Sequence, residues 1–317
     1  MTELKKIRSI WESCVDDLKQ AEISFAEETA TAIILYVLDM EKESLPSFLD
    51  LRLDDKQIDK IKNLIERRKK GEPLPHILGH IIFHGLKIYT ESGVSYPVFE
   101  VESLIEQTLL LYKKERALRI LDLGTGTGCI LLALLHDLPH ATGVGLDINK
   151  QAIALAEKNA EENSLSDRAV FRLGNWKDDL EERFDLVISN PPAAPTESIP
   201  HLSPELRDYD PITAIDGGKN GLSFFKEIVQ NFEKLAKLDA TGIFHIHDPK
   251  REASLFYKAG FPVETKFNCH YRQSGVYLEP CCIVVKNKKQ RRTWLQKIVS
   301  FFSKSIHSES VNPPENT

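Results

Sequence analysis

The stretch Arg119–Asp147 constrains this chain more than any other. It reads as an apolar strand (Arg119–Leu123), the loop Asp122-Leu123-Gly124-Thr125-Gly126-Thr127-Gly128, a helix (Cys129–His136) and a second strand (Gly143–Asp147). A strand, a tight glycine turn and a helix that leads back to a strand form a crossover, and crossovers build parallel sheets. The alternation continues: Lys150–Asn163 has helical spacing, Ala169–Leu173 and Phe184–Ser189 read as strands, Lys219–Lys237 as a long helix and Gly242–His247 as a strand. The expectation is an α/β unit with helices on both faces of its sheet. Val263–Phe267 and Tyr277–Val285 are separated only by a loop, which predicts an antiparallel pair closing the sheet.

Ahead of this unit the period is helical throughout. Ile7, Ile10, Trp11, Cys14, Val15 and Leu18 make one stripe, Ala30, Ile33, Ile34 and Val37 a second, and Ile58, Ile61, Leu64 and Ile65 a third. The breaker Gly71-Glu72-Pro73 follows. A connector with short extended pieces, Ile81–Phe83 and Leu86–Tyr89, leads into the α/β unit. The expected organisation is a helical recognition domain over 1–72, a connector over 73–105, the α/β domain over 106–286 and a basic amphipathic tail over 287–317. The tail sets Lys288, Lys289, Arg291 and Arg292 before Trp294, Leu295, Ile298, Phe301 and Phe302. It reads either as a last helix packed on its own domain or, over 286–306, as a segment for an anionic membrane surface, RNA or a partner.

The chain has 317 residues, with 42% hydrophobic and 28% charged, a soluble globular balance with apolar material for a sizeable core. No apolar run approaches the ~20 residues of a membrane span, and Thr31–Met40 reads as a buried helix, not an export signal. Five cysteines, an odd number without a C-x-x-C pair, fit a reduced, cytoplasmic compartment. A formal charge of −6 disfavours a body built to grip nucleic acid. A monomer is expected.

Glycines in the loop after Leu123 let the backbone turn tightly and approach a ligand. The helix beyond offers free N–H groups, and Asp147 ends the next strand, where an acid binds ribose hydroxyls. Dinucleotide sites use G-x-G-x-x-G because a pyrophosphate sits on the helix end. Here the spacing is G-x-G-x-G, and Asp122 stands before it. A carboxylate there repels phosphate and suits a cation. S-adenosylmethionine, with its ammonium and sulfonium, is therefore expected in preference to NAD.

Asn190-Pro191-Pro192-Ala193 follows the strand Phe184–Ser189 directly. Two prolines stop the strand and hold a rigid loop. The Asn190 side-chain oxygen and the Pro191 carbonyl then face one ligand as paired acceptors, which suits an NH2 group. An amide nitrogen is a poor nucleophile because its lone pair is delocalised. Accepting both its protons turns the lone pair toward the methyl group and favours positive charge at nitrogen.

With these motifs in place, residues from about Pro73 to Glu279 resemble the HemK/PrmC family of protein-glutamine N5-methyltransferases, which act on translation release factors. The matching features are Asp122–Gly128, Asp147, Asn190-Pro191-Pro192, Asp210-Pro211, Ala214–Leu222 and the connector Leu74-Pro75-His76-Ile77-Leu78-Gly79. The resemblance implies a class I S-adenosylmethionine-dependent methyltransferase, a Rossmann-like seven-stranded sheet with a helical N-terminal domain. It implies that Asp122, Gly124, Thr125, Gly126 and Gly128 line the cofactor's amino-acid end, that Asp147 binds the ribose and that Asn175 and Trp176 flank the adenine. It also implies that Asn190, Pro191 and Pro192 form the catalytic loop, with Asn190 also lining the cofactor site and a release factor as partner. Three positions depart from the family pattern: Ala193 stands for the usual Tyr, Tyr96-Pro97-Val98-Phe99-Glu100-Val101-Glu102 for I-P-R-P-E-T-E, and Asn175 for Asp. Phe83 and Phe99 are candidates to fill the space left at Ala193.

His245 and His247 share one face of a strand and read as a hydrogen-bonded strand-end pair. No metal site is expected, since no further His or Cys stands at ligand spacing. Two alternative functions stay open: a nucleic-acid N-methyltransferase, since exocyclic base amines suit the same acceptors, and a cofactor-binding interaction module.

Overall fold

The computed structural model describes residues 5–40, 51–175, 177, 180–272 and 275–287. The tail 288–317 and Trp176 lie outside them, as do the expectations attached to both. Near the N-terminus, β1 (Lys5–Lys6) precedes α1 (Ile7–Gln20) and α2 (Ala26–Leu38); β2 (Arg52–Leu53) precedes α3 (Asp55–Lys69) and pairs antiparallel with β1. The three apolar stripes meet in one core that includes Ile7, Leu18, Ile33, Ile34 and Ile61. A capping box starts α3: the Gln57 N–H donates to the Asp54 side chain at 2.8 Å, and the Asp54 N–H donates to Gln57 Oε1 at 3.0 Å. Arg67, Arg68 and Lys69 fill its last turn, where the helix dipole favours cations.

After α4 (Leu74–Leu78), β3 (His80–Phe83) and β4 (Leu86–Tyr89) form a hairpin. His84 and Gly85 both take positive φ (50° and 78°), as a two-residue primed turn requires. Phe83, Leu86 and Ile88 bury in the core of the α/β unit, so the connector packs onto the sheet domain. Phe83 is 1% exposed there, which removes it as a filler beside Ala193. The Phe99 side chain lies outside the described residues.

The α/β unit runs α5 (Glu102–Leu111), β5 (Arg119–Leu123), α6 (Cys129–Asp137), β6 (Thr142–Asp147), α7 (Lys150–Glu162), β7 (Ala169–Leu173) and β8 (Phe184–Ser189). It continues through α8 (Pro204–Tyr209), α9 (Ile212–Ile215), α10 (Ser223–Leu235), β9 (Ala236–His245), α11 (Pro249–Lys258), β10 (Val263–Arg272) and β11 (Gly275–Lys286). The seven strands lie in the order β10-β11-β9-β8-β5-β6-β7. The run from β9 to β7 is parallel, and β11 is antiparallel to both its neighbours. Successive residues point to opposite faces: Ile120 and Ile188 enter one core, Leu121 and Val187 the other. Chain order reverses between β5 and β8, and the crevice beyond the carboxyl ends of such strands is where open α/β sheets bind ligands.

The long helix expected over Lys219–Lys237 is shorter. Gly218 and Gly221 take φ of 83° and 73° and hold a turn, so α10 starts only at Ser223. It stops at Leu235 because Ala236 is already extended and pairs with Phe184; β9 therefore begins before the expected Gly242 and ends at His245. Among the described residues no helix is long and apolar enough to cross a membrane.

Candidate active site

Two loops leave adjacent strands at the switch point, and one hydrogen bond fixes their common origin. Ser189 Oγ, at the end of β8, donates to the Leu123 carbonyl at the end of β5 at 2.6 Å. The glycine loop starts at the next residue of one strand and the Asn190 loop at the next residue of the other.

In the glycine loop, Gly124, Gly126 and Gly128 all have positive φ, for two different ends. A Cβ on Gly124 would meet nothing within 4 Å, and one on Gly126 only the Ser95 carbonyl at 3.9 Å. These two glycines supply the turn and leave open space beside it. At Gly128 a Cβ would lie 3.1 Å from both Ala156 and Phe171, so this glycine lets α6 sit close to α7 and β7. The N–H groups of Gly124 and Thr125 both donate to the Leu146 carbonyl at 2.9 Å, which ties the loop to β6.

Asp147 is half-buried and held by two backbone donors: the Gly126 N–H reaches Oδ2 at 2.9 Å and the Asn149 N–H reaches Oδ1 at 2.8 Å. Each oxygen keeps lone-pair capacity for a hydroxyl. Asn175 stands on the adjacent strand end, its Oδ1 accepting from the Lys177 N–H at 3.0 Å, while Gly174 N–H donates to the Asp147 carbonyl at 2.9 Å.

Asp122 is fully buried beneath the loop. Its Oδ2 accepts from the Thr125 hydroxyl at 2.7 Å; its Oδ1 makes no hydrogen bond among the described residues, with the Leu131 N–H near enough only to lower the carboxyl slightly. Burial, opposed by the Thr125 hydrogen bond and reinforced by the Asp147 charge, pushes the carboxyl up to about 7. An orphaned buried acid oxygen under an open loop fits a cationic ligand, whose charge favours the carboxylate. Asp122 exposes no surface above the loop and meets it through the Thr125 hydroxyl.

The Asn190 side chain is half-buried and makes no hydrogen bond with any described residue. Pro191 is buried and Pro192 half-buried. What holds this loop is the segment Ile215–Gly221. The Ala194 N–H donates to the Ile215 carbonyl at 3.1 Å, the Gly217 N–H to the Ala194 carbonyl at 2.8 Å and the Thr196 hydroxyl to Asp216 Oδ1 at 2.7 Å. A Cβ on Gly217 would sit 2.8 Å from Ala193 Cα, and one on Gly221 would sit 2.3 Å from the Ala193 carbonyl oxygen. Bare backbone therefore lies directly against Ala193, whose methyl packs on the second core. The sequence reading assigned no role to Ser189, Gly217 or Gly221; the G-G-x-x-G spacing was the available signal.

His245 and His247 stand at the end of β9 and just beyond it, with rings edge-to-face at 4.9 Å. His245 is buried with Nδ1 unpartnered, which corrects the expected hydrogen-bonded pair; burial lowers it to about 4. Among the described residues no three His, Cys, Asp or Glu side chains gather as a metal site.

Comparison with known proteins bears on this geometry. A family model described as PrmC N-terminal domain matches residues 10–79, and one described as a methyltransferase domain matches residues 114–298. The release factor glutamine methyltransferase of Caulobacter vibrioides is 32% identical over 260 residues, covering 81% of this chain and 89% of the relative. The chain belongs to the release factor glutamine methyltransferase family. The family members of Agrobacterium fabrum (42% identical; 53% of this chain and 60% of the relative) and Bradyrhizobium diazoefficiens (36% identical; 69% and 75%) agree. Membership makes the chain a methyltransferase whose methyl donor is S-adenosylmethionine, in keeping with the cationic fit at Asp122.

Proposed function

We propose that this chain transfers a methyl group to the side-chain amide nitrogen of a glutamine in a protein, a peptide-chain release factor. The observation that carries the reading is Asn190: a half-buried amide without a hydrogen-bond partner among the described residues, fixed through Ser189 to the origin of the glycine loop. S-adenosylmethionine supplies an electrophilic methyl group. The loop Gly124–Gly128 takes its amino-acid end, with Thr125 oriented by Asp122. Asp147 accepts from the ribose hydroxyls, and Asn175 flanks the adenine.

Asn190 Oδ1 and the Pro191 carbonyl each accept a hydrogen bond from one N–H of the acceptor NH2 and aim its lone pair at the methyl group; as the N–CH3 bond forms, the S–CH3 bond breaks to leave the neutral thioether, and one N–H proton then passes to solvent. As charge builds at nitrogen these two acceptors bind more strongly, which is where the loop lowers the barrier. The rigid Pro191-Pro192 backbone keeps the acceptors from relaxing away. The formal charge of −6 and the small Ala193, which offers no ring for a flipped base, favour a protein acceptor over a nucleic acid.

The test pairs labelled methyl transfer to a release factor with calorimetry of the cofactor. Asn190→Ala should remove most turnover and leave cofactor affinity within about twofold, since Asn190 serves the acceptor. A variant that keeps most of its turnover ends the assignment of Asn190.

A further inference from the structure

Between the N-terminal helices and the acceptor loop lies a polar cluster that the chemistry above does not use. Arg68, in the last turn of α3, is 6% exposed. Its guanidinium donates to the Glu72 carbonyl at 3.0 Å and to Glu205 Oε1, an ion pair between residues 137 apart in sequence. Glu205 opens α8, and its other oxygen accepts from the Tyr96 hydroxyl at 3.3 Å. The neighbouring Ser95 hydroxyl donates to Asp210 Oδ2 at 2.9 Å, just past the other end of α8. Two consecutive connector residues thus grip both ends of one short helix. The same connector approaches the glycine loop, with the Ser95 carbonyl the nearest atom to a Cβ on Gly126.

The contact surface is close-packed as well as polar. A Cβ on Gly71 would lie 3.0 Å from the Pro204 side chain, and the Tyr209 hydroxyl reaches the Lys70 carbonyl at 3.4 Å. From α8 the chain passes through Pro211 and α9 into Asp216 and Gly217, the backbone that clamps Ala193 and Ala194. The cluster is therefore connected, by bonds and packing, to the loop that carries Asn190.

We infer that Arg68 and Tyr96 are positioning residues for methyl transfer, acting through Glu205 and α8 to hold the Asn190 loop in register with both the helical region and the cofactor loop. Neither residue contacts the reacting atoms. Burial and the Glu205 charge push the Tyr96 phenol up, so it stays a protonated donor. Arg68 answers two acceptors at once, which a lysine with its single nitrogen reproduces poorly. The inference rests on the proposed transfer to a glutamine, and its test includes a reading that does not.

The experiment uses the full chain with Tyr96→Phe, Glu205→Gln, the double variant, Arg68→Gln and Arg68→Lys. Single-turnover methyl transfer to a release factor is measured beside cofactor affinity and hydrogen exchange at the Ala194 and Gly217 amides. Tyr96→Phe, which removes one oxygen, is expected to lower the transfer rate about threefold, and Arg68→Gln about tenfold, with cofactor affinity unchanged. Exchange at Ala194 and Gly217 should rise severalfold, and Arg68→Lys should recover part of the loss. In the Glu205→Gln background, Tyr96→Phe should add nothing, because its partner is gone. Additive effects, unchanged exchange, raised exchange with an unchanged transfer rate, or a parallel loss of cofactor binding would each overturn the inference. A wild type that methylates no release factor refutes the proposed function, and the exchange cycle then decides the clamp by itself.

Discussion

Gly221→Ala isolates the backbone contact under the acceptor loop. Gly221 has φ 73°, where an L-residue is disfavoured by roughly 1–2 kcal/mol. Its Cβ would also lie 2.3 Å from the Ala193 carbonyl oxygen, against 3.4 Å for ordinary contact. Nothing at this contact is a flexible side-chain end, so relief requires a backbone shift of about 1 Å. The shifted backbone is two peptide bonds from Pro191 and three from Asn190. A displacement of ~1 Å at paired acceptors lowers transfer on the order of a hundredfold. The conformational penalty alone lowers the melting temperature by roughly 2–6 °C. Single-turnover methyl transfer on a release factor measures the loss of rate, a thermal melt the drop in melting temperature and calorimetry the cofactor affinity. Cofactor affinity should stay within about twofold, since Gly221 packs on Ala193 and Pro195, not on the glycine loop. Transfer within threefold of wild type in a folded variant would show that the loop yields elsewhere and that the contact does not set the acceptor geometry.

Asp147→Ala should weaken cofactor binding by on the order of 1–3 kcal/mol in a calorimetric titration, since it removes a charged acceptor and the anchor of the Gly126 and Asn149 N–H groups. Asp122 carries a pH signature: its carboxyl is raised to about 7, so the folded state holds a proton that the unfolded state has released between about pH 4 and 7. Its contribution to stability therefore falls as pH rises through that window, and Asp122→Asn should flatten the stability profile measured by denaturant titration. Cofactor affinity should rise as pH passes about 7 in the wild type, because the carboxylate then meets a cation, and should lose that rise in Asp122→Asn. Asp54→Ala breaks the capping box of α3 and should destabilise the protein by ~1 kcal/mol in a melt, without changing cofactor affinity.

The features legible in the sequence are those that short-range chemistry writes locally. Asp122–Gly128 turns between a strand and a helix because glycine takes its three positive φ values without the steric cost of a side chain. Ile120 and Leu121 part to opposite faces because strand geometry alternates. The misreadings arose where distant segments decide the outcome. Lys219 suits a helix, but Gly218 and Gly221 are committed to the turn under Ala193, so the helix waits for Ser223. Lys237, Leu238 and Asp239 are all exposed and offer no buried face to mark a strand, yet β9 already begins at Ala236, opposite Phe184 of β8. Phe83 looked available for the acceptor pocket, and only the fold of the hairpin shows it spent in the core. Ser189 carries no mark in the sequence, because its function is a bond to a carbonyl on another strand.

The Arg68–Glu205 pair also sets a rule for recombination between relatives. A chimaera that joins the helical region of one relative to the sheet domain of another carries Arg68 from one parent and Glu205 from the other. If the second parent has an apolar residue at 205, the guanidinium is left in a buried contact with its Nε already unpartnered. An unpaired buried charge destabilises a junction by several kcal/mol, more than the exposed seams of such a graft usually do. A crossover point chosen in the connector therefore has to follow residues 68, 96 and 205 as one unit, although they span the whole distance from the first domain to the acceptor loop.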